Sequence, residues 1–376
     1  MIFKKIFIGT VILLSSSAAY AQHVSVTPEG GGGNRYFVIN EASKNTEPLK
    51  LVIRKNLVSI LNTNTTLSNP KSWNISPDRS VLAAITATGV EEYEYPGKAL
   101  ASVSQQAEGG NDPSLAVYPL NDGKFIMRSN IAHFDFNNSD GKTLTTASNA
   151  VGTKEGEAIS DMLVSPTGMS AYLINPKIKK GNRVESRIQR WDLVSGNTSA
   201  IYYGNGPIAG VKVSKDGALL AIETVDDGHS VITITDGFGN EIRKHSFKEK
   251  LNGFSLSGQG ADRYLTVWKG NLIRTFDVMS GKRIVYTSFQ GPQVELAMYE
   301  SHDHNLVGVA LTNDGETIHK FEVFVVNMLK RQIATQNYDG SLLWDPEHLP
   351  LGINREGMGQ YVVTGISTPL KIAANF

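Results

Sequence analysis

The sequence contains no cysteine. Disulfide bonds, thiolate metal sites and cysteine nucleophiles are therefore excluded. A chain of 376 residues without disulfides must be stabilised by burial of apolar side chains and by backbone hydrogen bonds. We therefore expect a large and continuous core.

Neither sign of charge is in excess. The chain has 36 Lys and Arg against 36 Asp and Glu. Removal of the first 21 residues takes away Lys4 and Lys5, which leaves 34 basic residues against 36 acidic ones. A composition this even gives no general attraction to nucleic acid or to anionic lipid, so we expect no nucleic-acid partner.

Long hydrophobic runs are missing as well, and the longest lies near the N-terminus. Lys4 and Lys5 precede the apolar run Ile6–Leu14, and Ala19-Tyr20-Ala21 forms a small-x-small cleavage site. The apolar run is shorter than the roughly 20 residues that a membrane-spanning helix requires. We predict a signal peptide of bacterial type over residues 1–21.

The signal peptide has consequences for location and domain organisation. Cleavage after Ala21 leaves Gln22 at the new N-terminus, without the cysteine that a bacterial lipoprotein needs for its lipid. We therefore predict a periplasmic or secreted protein that has no membrane span. The remaining residues, 22–376, form a single domain in this interpretation.

Turn-forming segments recur along this domain at intervals of about 45 residues, the period of four-stranded propeller blades. They read SPDRS at 76, NDGK at 121, SPTG at 165, SKDG at 214 and SGQG at 257, with weaker copies SHDHN at 301 and NREG at 354. The segments between them are short runs of β-branched, aromatic and apolar residues, which predict strands. No window of a dozen residues has the apolar spacing of a surface helix.

One repeat can be assigned strand by strand. Its four predicted strands cover residues 209–214, 218–225, 230–235 and 241–247, with an Asp-Gly dipeptide in each of the three connections. The predicted fold is an all-β propeller of seven or eight four-stranded blades. Strands within residues 22–66 either complete the last blade or form a blade of their own; the spacing favours eight blades, although seven-bladed rings are more common.

Three segments carry a resemblance to a known family. The hairpins Ser76-Pro77-Asp78 and Ser214–Gly217, and the strand end Trp191-Asp192 with its Ser195-Gly196 turn, resemble WD-repeat β-propellers. The Gly-His dipeptide that opens a standard WD repeat is missing from most units, so the chain is similar to a divergent bacterial member. The resemblance implies an architecture and leaves the activity open.

The candidate partner-binding residues lie in charged segments. The segment Asn175–Ser186 is predicted as a long basic loop between the second and third strands of its blade, a position where partners often dock. It is either a solvated loop or a contact loop. Acidic segments of two other blades lie near the same face, and both signs of charge on one face favour a protein partner. The candidates are Lys177, Lys179, Lys180, Arg183, Glu91, Glu92, Asp226 and Asp227.

The segment SHDHN contains metal-ligand residue types. His302 and His304 would share a face of a strand, with Asp303 between them. A metal site needs a third protein ligand, which the sequence does not identify, and the segment also occupies a hairpin position where these residues are common. We predict no metal and no cofactor.

We expect a non-enzymatic interaction scaffold that binds another protein or complex of the bacterial envelope. A first alternative is a hydrolase or lactonase with its site at the central channel, and a second is a ligand- or carbohydrate-binding module. The enzyme alternative would draw on polar residues from several blades, namely His133, Asp161, Glu223, Asp303 and Glu322.

Overall fold

The fold is described from a computed structural model of the chain. It describes the backbone of the strands between residues 23 and 373. It also describes the side chains of a central part of the chain: residues 74, 76–77, 81–85, 89–93, 116–129, 133–147, 159, 161–179, 181 and 183–288. The predicted signal peptide lies outside the described residues.

The described strands form eight antiparallel sheets that follow one another along the chain. Seven sheets have four strands and the last has three. Sheet 1 contains β1 (His23–Ser25), β2 (Arg35–Asn40), β3 (Lys50–Lys55) and β4 (Val58–Thr66). Sheet 2 contains β5 (Trp73–Ile75), β6 (Val81–Thr86), β7 (Gly89–Glu94) and β8 (Lys98–Val103). Sheet 3 contains β9 (Ala116–Pro119), β10 (Phe125–Asn130), β11 (His133–Asn137) and β12 (Thr143–Ser148).

The next three sheets have the best described side chains. Sheet 4 contains β13 (Asp161–Val164), β14 (Ser170–Lys180), β15 (Arg183–Asp192) and β16 (Thr198–Asn205). Sheet 5 contains β17 (Ile208–Val213), β18 (Leu219–Asp226), β19 (His229–Asp236) and β20 (Glu241–Phe247). Sheet 6 contains β21 (Gly253–Gln259), β22 (Asp262–Lys269), β23 (Leu272–Asp277) and β24 (Arg283–Ser288).

The last two sheets complete the chain. Sheet 7 contains β25 (Gln293–Glu300), β26 (Asn305–Asn313), β27 (His319–Asn327) and β28 (Gln332–Asp339). Sheet 8 contains β29 (Gly352–Gly357), β30 (Gln360–Thr364) and β31 (Leu370–Ala373). Strand β1 contacts β29, so the first and last sheets are neighbours. Sheet 1 is thus a four-stranded sheet of its own, as the eight-blade alternative requires.

Consecutive sheets pack face to face. One apolar cluster joins Phe134 of sheet 3 to Trp191 of sheet 4, and another joins Ile232 of sheet 5 to Leu265 of sheet 6. The first strands of neighbouring sheets contact each other, as β17 and β21 do, whereas nearly all residues of the fourth strands β16 and β20 are exposed or half-buried. The first strands therefore lie innermost and the fourth strands form the rim, which is the arrangement of a β-propeller.

Sheet 5 follows the strand-by-strand prediction closely. Its four strands begin and end within two residues of the predicted bounds. The reason is local, because Gly217 at φ +70° and Gly228 at φ +75° sit in the turns that need the left-handed region. These turns fix the register of the hairpins, and the register fixes which faces are apolar.

In several sheets an aspartate side chain accepts backbone N–H groups of the turn between the third and fourth strands. In sheet 4 the Asp192 carboxylate accepts the backbone N–H groups of Val194 (3.2 Å) and Ser195 (2.9 Å). In sheet 5 Asp236 accepts those of Phe238 and Asn240, both at 2.9 Å. Hydrogen bonds hold the pKa of Asp192 below its ordinary value, chiefly those from the backbone and side chain of Ser195. At Asp236 burial raises the pKa, but the hydrogen bonds from the side chain and backbone of Asn240 and from other backbone N–H groups of the turn outweigh it and lower the pKa. Both carboxylates therefore stabilise the turns in which they lie.

Candidate functional site

The second and third strands of sheet 4 extend beyond the rest of their sheet. Strand β14 has 11 residues, but only Ala171–Ile174 pair with the short strand β13. Beyond a bulge at Asn175–Ile178, which contains Pro176, the hairpin continues until Lys180 pairs with Arg183. The prediction of a long loop over Asn175–Ser186 was therefore wrong, because β14 continues to Lys180 and β15 begins at Arg183.

We call residues Lys177–Arg183 the basic hairpin. Lys177, Lys179 and Arg183 are exposed, whereas Ile178 is 4% exposed and anchors the hairpin to the core. The register places Lys180 directly opposite Arg183.

The tight turn between β18 and β19 lies beside the basic hairpin in the next sheet. We call Asp226–Gly228 the acidic turn. Asp226 pairs with His229, and the two residues between them both have positive φ, +46° at Asp227 and +75° at Gly228. That is the geometry of a type I′ turn, for which Asp-Gly is a preferred dipeptide. Both aspartates are exposed.

Gly206 connects the basic hairpin to the acidic turn. Its N–H donates to the carbonyl of Val184 at 2.8 Å. A Cβ atom added at Gly206 would lie 3.7 Å from the Cβ of Asp226 and 3.3 Å from the carbonyl oxygen of Val225. The φ of Gly206 is +90°, so another residue would be strained there. The strand that follows the basic hairpin and the acidic turn of the next sheet therefore meet at Gly206.

Glu92 does not belong to this exposed surface, which corrects the prediction for that residue. It is 0% exposed and lies in the middle of β7, opposite Ala83. Glu91 is half-buried on the other face of the strand and accepts a hydrogen bond from the Tyr93 hydroxyl. Consecutive strand residues point to opposite faces, so one of the two glutamates had to face the neighbouring sheet.

The carboxyl group of Glu92 is in an unusual environment. Its oxygens have no hydrogen-bond partner among the described residues. It shares its face of the sheet with Val90, which packs with Phe125 of sheet 3. Burial, with a smaller contribution from the negative charge of Asp122, raises the pKa of Glu92 from 4.5 to about 8. The residue is therefore mainly a neutral acid at pH 7.

The polar residues considered for a catalytic channel take separate partners. His133 pairs with Asp135 at 3.0 Å, and buried Glu223 accepts the Ser230 hydroxyl at 2.6 Å. Asp161 accepts the N–H of Met162 at 2.8 Å. Burial raises the pKa of Asp161. The hydrogen bond from the N–H of Met162 opposes this rise, and so do the positive charges of Arg128 and Lys212. No hydrogen bond within the described part of the chain joins the three candidates.

The described side chains give no support to a metal site. The described residues contain no group of three His, Cys, Asp or Glu side chains that could hold a metal ion. His302, Asp303 and His304 lie outside the described residues, and so does the side chain of Glu322. No helix in the described part of the chain has the length and hydropathy needed to cross a membrane.

Comparisons with known proteins agree with the architecture. No family model and no curated protein sequence matches the chain. Among solved structures, the Dos1 propeller has a TM-score of 0.57 at 12% identity, covering 93% of this chain and 92% of that one. The dihydro-heme d1 dehydrogenase NirN, in complex with DHE, has a TM-score of 0.54 at 12% identity, covering 85% of this chain and 67% of that one.

A third structure is similar over most of both chains. Apo AztD from Citrobacter koseri has a TM-score of 0.50 at 13% identity and covers 92% of each chain. Similarity at this identity shows the fold and nothing about the activity. With the sheet order, the face-to-face packing and these similarities together, the chain is an all-β protein with the β-propeller fold.

Proposed function

We propose that this protein is a non-enzymatic scaffold of the bacterial envelope, periplasmic or secreted, which binds another envelope protein through the basic hairpin and the acidic turn. The observation that carries the proposal is the projection of the basic hairpin beyond its sheet, with exposed Lys177, Lys179 and Arg183 beside exposed Asp226 and Asp227. The reason for proposing export is the signal peptide predicted over residues 1–21.

The chemistry of this surface favours a protein partner. Charges of both signs, held side by side, match a partner that carries the opposite pattern, and they disfavour a uniformly charged polymer. Acidic groups of the partner would pair with the exposed Lys177, Lys179 and Arg183. The buried Ile178 anchors the hairpin to the core, which lowers the entropy cost of ordering the hairpin on binding.

Neutralising the hairpin lysines should reduce capture of the partner. The full chain, tagged at its C-terminus, is expressed in its native host and crosslinked in intact cells, and co-purified proteins are quantified by mass spectrometry. Wild type is compared with the Lys177→Gln/Lys179→Gln variant. We expect one protein species to be enriched with wild type and to fall about fivefold or more with the variant, since each lost ion pair weakens binding.

The matched control is the variant Lys142→Gln/Lys244→Gln. These lysines are also exposed, but they lie in a turn of sheet 3 and on the rim strand of sheet 5. The control should capture the same species as wild type. The proposal is wrong if no species is enriched over the untagged strain, or if both variants capture it equally.

A further inference from the structure

Alternate residues of the rim strand β20 hold sheet 5 against sheet 6. Arg243, His245 and Phe247 share one face of the strand. Arg243 donates to the backbone carbonyl of Met279 in sheet 6. The ring of Phe276 lies 4.8 Å from the ring of His245 and 6.1 Å from that of Phe247, measured between centroids. We call the contact of these three β20 residues with sheet 6 the rim seam.

The rim seam is continuous with the apolar core between the two sheets. Phe247 is buried in the same apolar cluster as Leu265 of sheet 6, and Phe276 packs against this cluster. His245 is half-buried and lies opposite Ile232, another member of the cluster. A titratable ring therefore takes part in the apolar contact that holds β20 on its neighbour.

The imidazole of His245 has no polar partner for a second proton. Its Nε2 atom is buried and has no hydrogen-bond partner among the described residues. A neutral imidazole can carry its single proton on Nδ1, whereas the protonated ring has an N–H donor at both nitrogens. Protonation in the closed seam therefore buries a donor and a positive charge without an acceptor.

Arginines are the cationic neighbours of His245 at the rim seam. Arg243 is on the same face of β20. Arg274 of β23 stacks on the ring of Phe247, 5.3 Å from its centroid, so this ring already holds a cation. The exposed Arg283 of β24 lies opposite Phe276 in the strand pairing. A proton on the imidazole would add a further positive charge to these groups.

No carboxylate pairs with His245 in the part of the chain whose side chains are described. Glu249 forms an ion pair with the arginine of β23. Asp277 accepts a backbone N–H group of its own turn, and the charge of Glu241 acts on Tyr202 of sheet 4. The negative charges near the rim seam thus have other partners, and none accepts a proton from the imidazole.

The direction of the pH effect follows from this environment. Burial lowers the pKa of His245 below its ordinary value of 6.5, and the positive charge of Arg243 lowers it further. When β20 leaves sheet 6 the ring enters water, where it regains its ordinary pKa. The released strand then binds the proton more strongly, so the rim seam is fully stable above pH 6.5 and weakens as the pH falls below that value.

We propose that the rim seam is a pH-sensitive contact, in which protonation of His245 releases β20 from sheet 6 while the rest of the ring stays folded. The release can be local because β20 is the last strand of its sheet and pairs only with β19. This inference goes beyond the scaffold function and does not depend on it.

Amide hydrogen exchange of the full chain, followed by mass spectrometry, tests the release. Exchange is measured at pH 7.5 and pH 5 and corrected for the pH dependence of exchange in an unstructured chain. We expect the protection of β20 to fall several-fold at pH 5. The upper limit is about 30-fold, the factor by which proton binding to a free imidazole favours the released strand at that pH.

The rim strand β16 of sheet 4 is the internal control, because it contains no histidine. Its protection should be the same at both pH values. Glu92 cannot produce the loss at β20, since it lies between sheets 2 and 3 and stabilises the fold at low pH. Equal protection of β20 at both pH values overturns the proposal, and so does an equal loss in β16 and β20.

Two variants assign the effect to one ring. His245→Gln cannot be protonated, and His245→Phe keeps an aromatic ring beside Phe247 and Phe276. Either variant should show the same protection of β20 at pH 5 and pH 7.5. The matched control His229→Gln replaces an exposed histidine of the same sheet and should keep the pH dependence of wild type. A folded His245 variant that still loses protection at pH 5 contradicts the proposal.

Discussion

Replacement of Glu92 by glutamine should make the protein markedly more stable at pH 8 and leave its stability at pH 5 nearly unchanged. Glutamine has the shape of a protonated glutamate and cannot ionise. The wild-type carboxyl group is 0% exposed between sheets 2 and 3, without a hydrogen-bond partner among the described residues. Ionisation in that place leaves a buried charge without compensation.

The direction of the pH effect follows from the raised pKa. Unfolding releases a proton from Glu92 at any pH between 4.5 and about 8, because the folded protein holds the proton and the unfolded chain does not. Stability is therefore fully present below pH 4.5 and falls by about 1.4 kcal/mol per pH unit as the pH rises. Over the whole interval the loss is about 5 kcal/mol, a large part of a typical stability of about 5–15 kcal/mol.

Chemical denaturation at pH 5 and pH 8 measures this effect. Wild type should lose several kcal/mol between the two pH values, and Glu92→Gln should lose much less. Glu241→Gln is the control, since Glu241 is exposed on the rim strand β20, and it should behave like wild type. If Glu92→Gln keeps the full pH dependence of wild type, the carboxyl group is not buried as a neutral acid.

A chain that begins at Ser68 should fail to fold or should aggregate. It lacks strands β1–β4, which form a complete sheet beside sheet 8. Loss of one sheet from a closed ring exposes the apolar faces of its two neighbours, and each large side chain exposed in this way costs about 1.5–3 kcal/mol. A few such side chains exceed the whole stability of a domain.

Size-exclusion chromatography and thermal unfolding decide this prediction. A chain that lacks only residues 1–21 is the control and should be a folded monomer. If the chain that begins at Ser68 is also a soluble monomer with an unchanged melting temperature, sheet 1 lies outside the ring. The blade count would then fall to seven.

The strands of sheet 5 could be predicted from the sequence because the turn-forming residues and the apolar pattern agree there. Asp-Gly turns bound short apolar runs, and both features favour the same register. The period of about 45 residues then extended this one assignment to most of the chain.

The basic hairpin was mistaken for a loop because its composition is that of a loop. Pro, Asn, Gly and Lys dominate Asn175–Ser186, and they outweighed the alternation Lys177-Ile178-Lys179, which is typical of a strand. The dipeptide Gly-Asn at positions 181 and 182 is the sequence signal for a hairpin here.

The burial of Glu92 needed three-dimensional information. In the run Glu91-Glu92 the alternation of a strand sends one carboxylate inward, but the sequence does not say which one.

Site-specific photo-crosslinking in living cells tests the central claim, that a partner docks on the hairpin face, most directly. A photoreactive amino acid replaces Lys179 in the basic hairpin, Asp227 in the acidic turn or Lys244 on the rim, all of which are exposed. We predict one adduct of the same mass from positions 179 and 227 and none from 244. The absence of an adduct at both 179 and 227, or an equal adduct at 244, would contradict it.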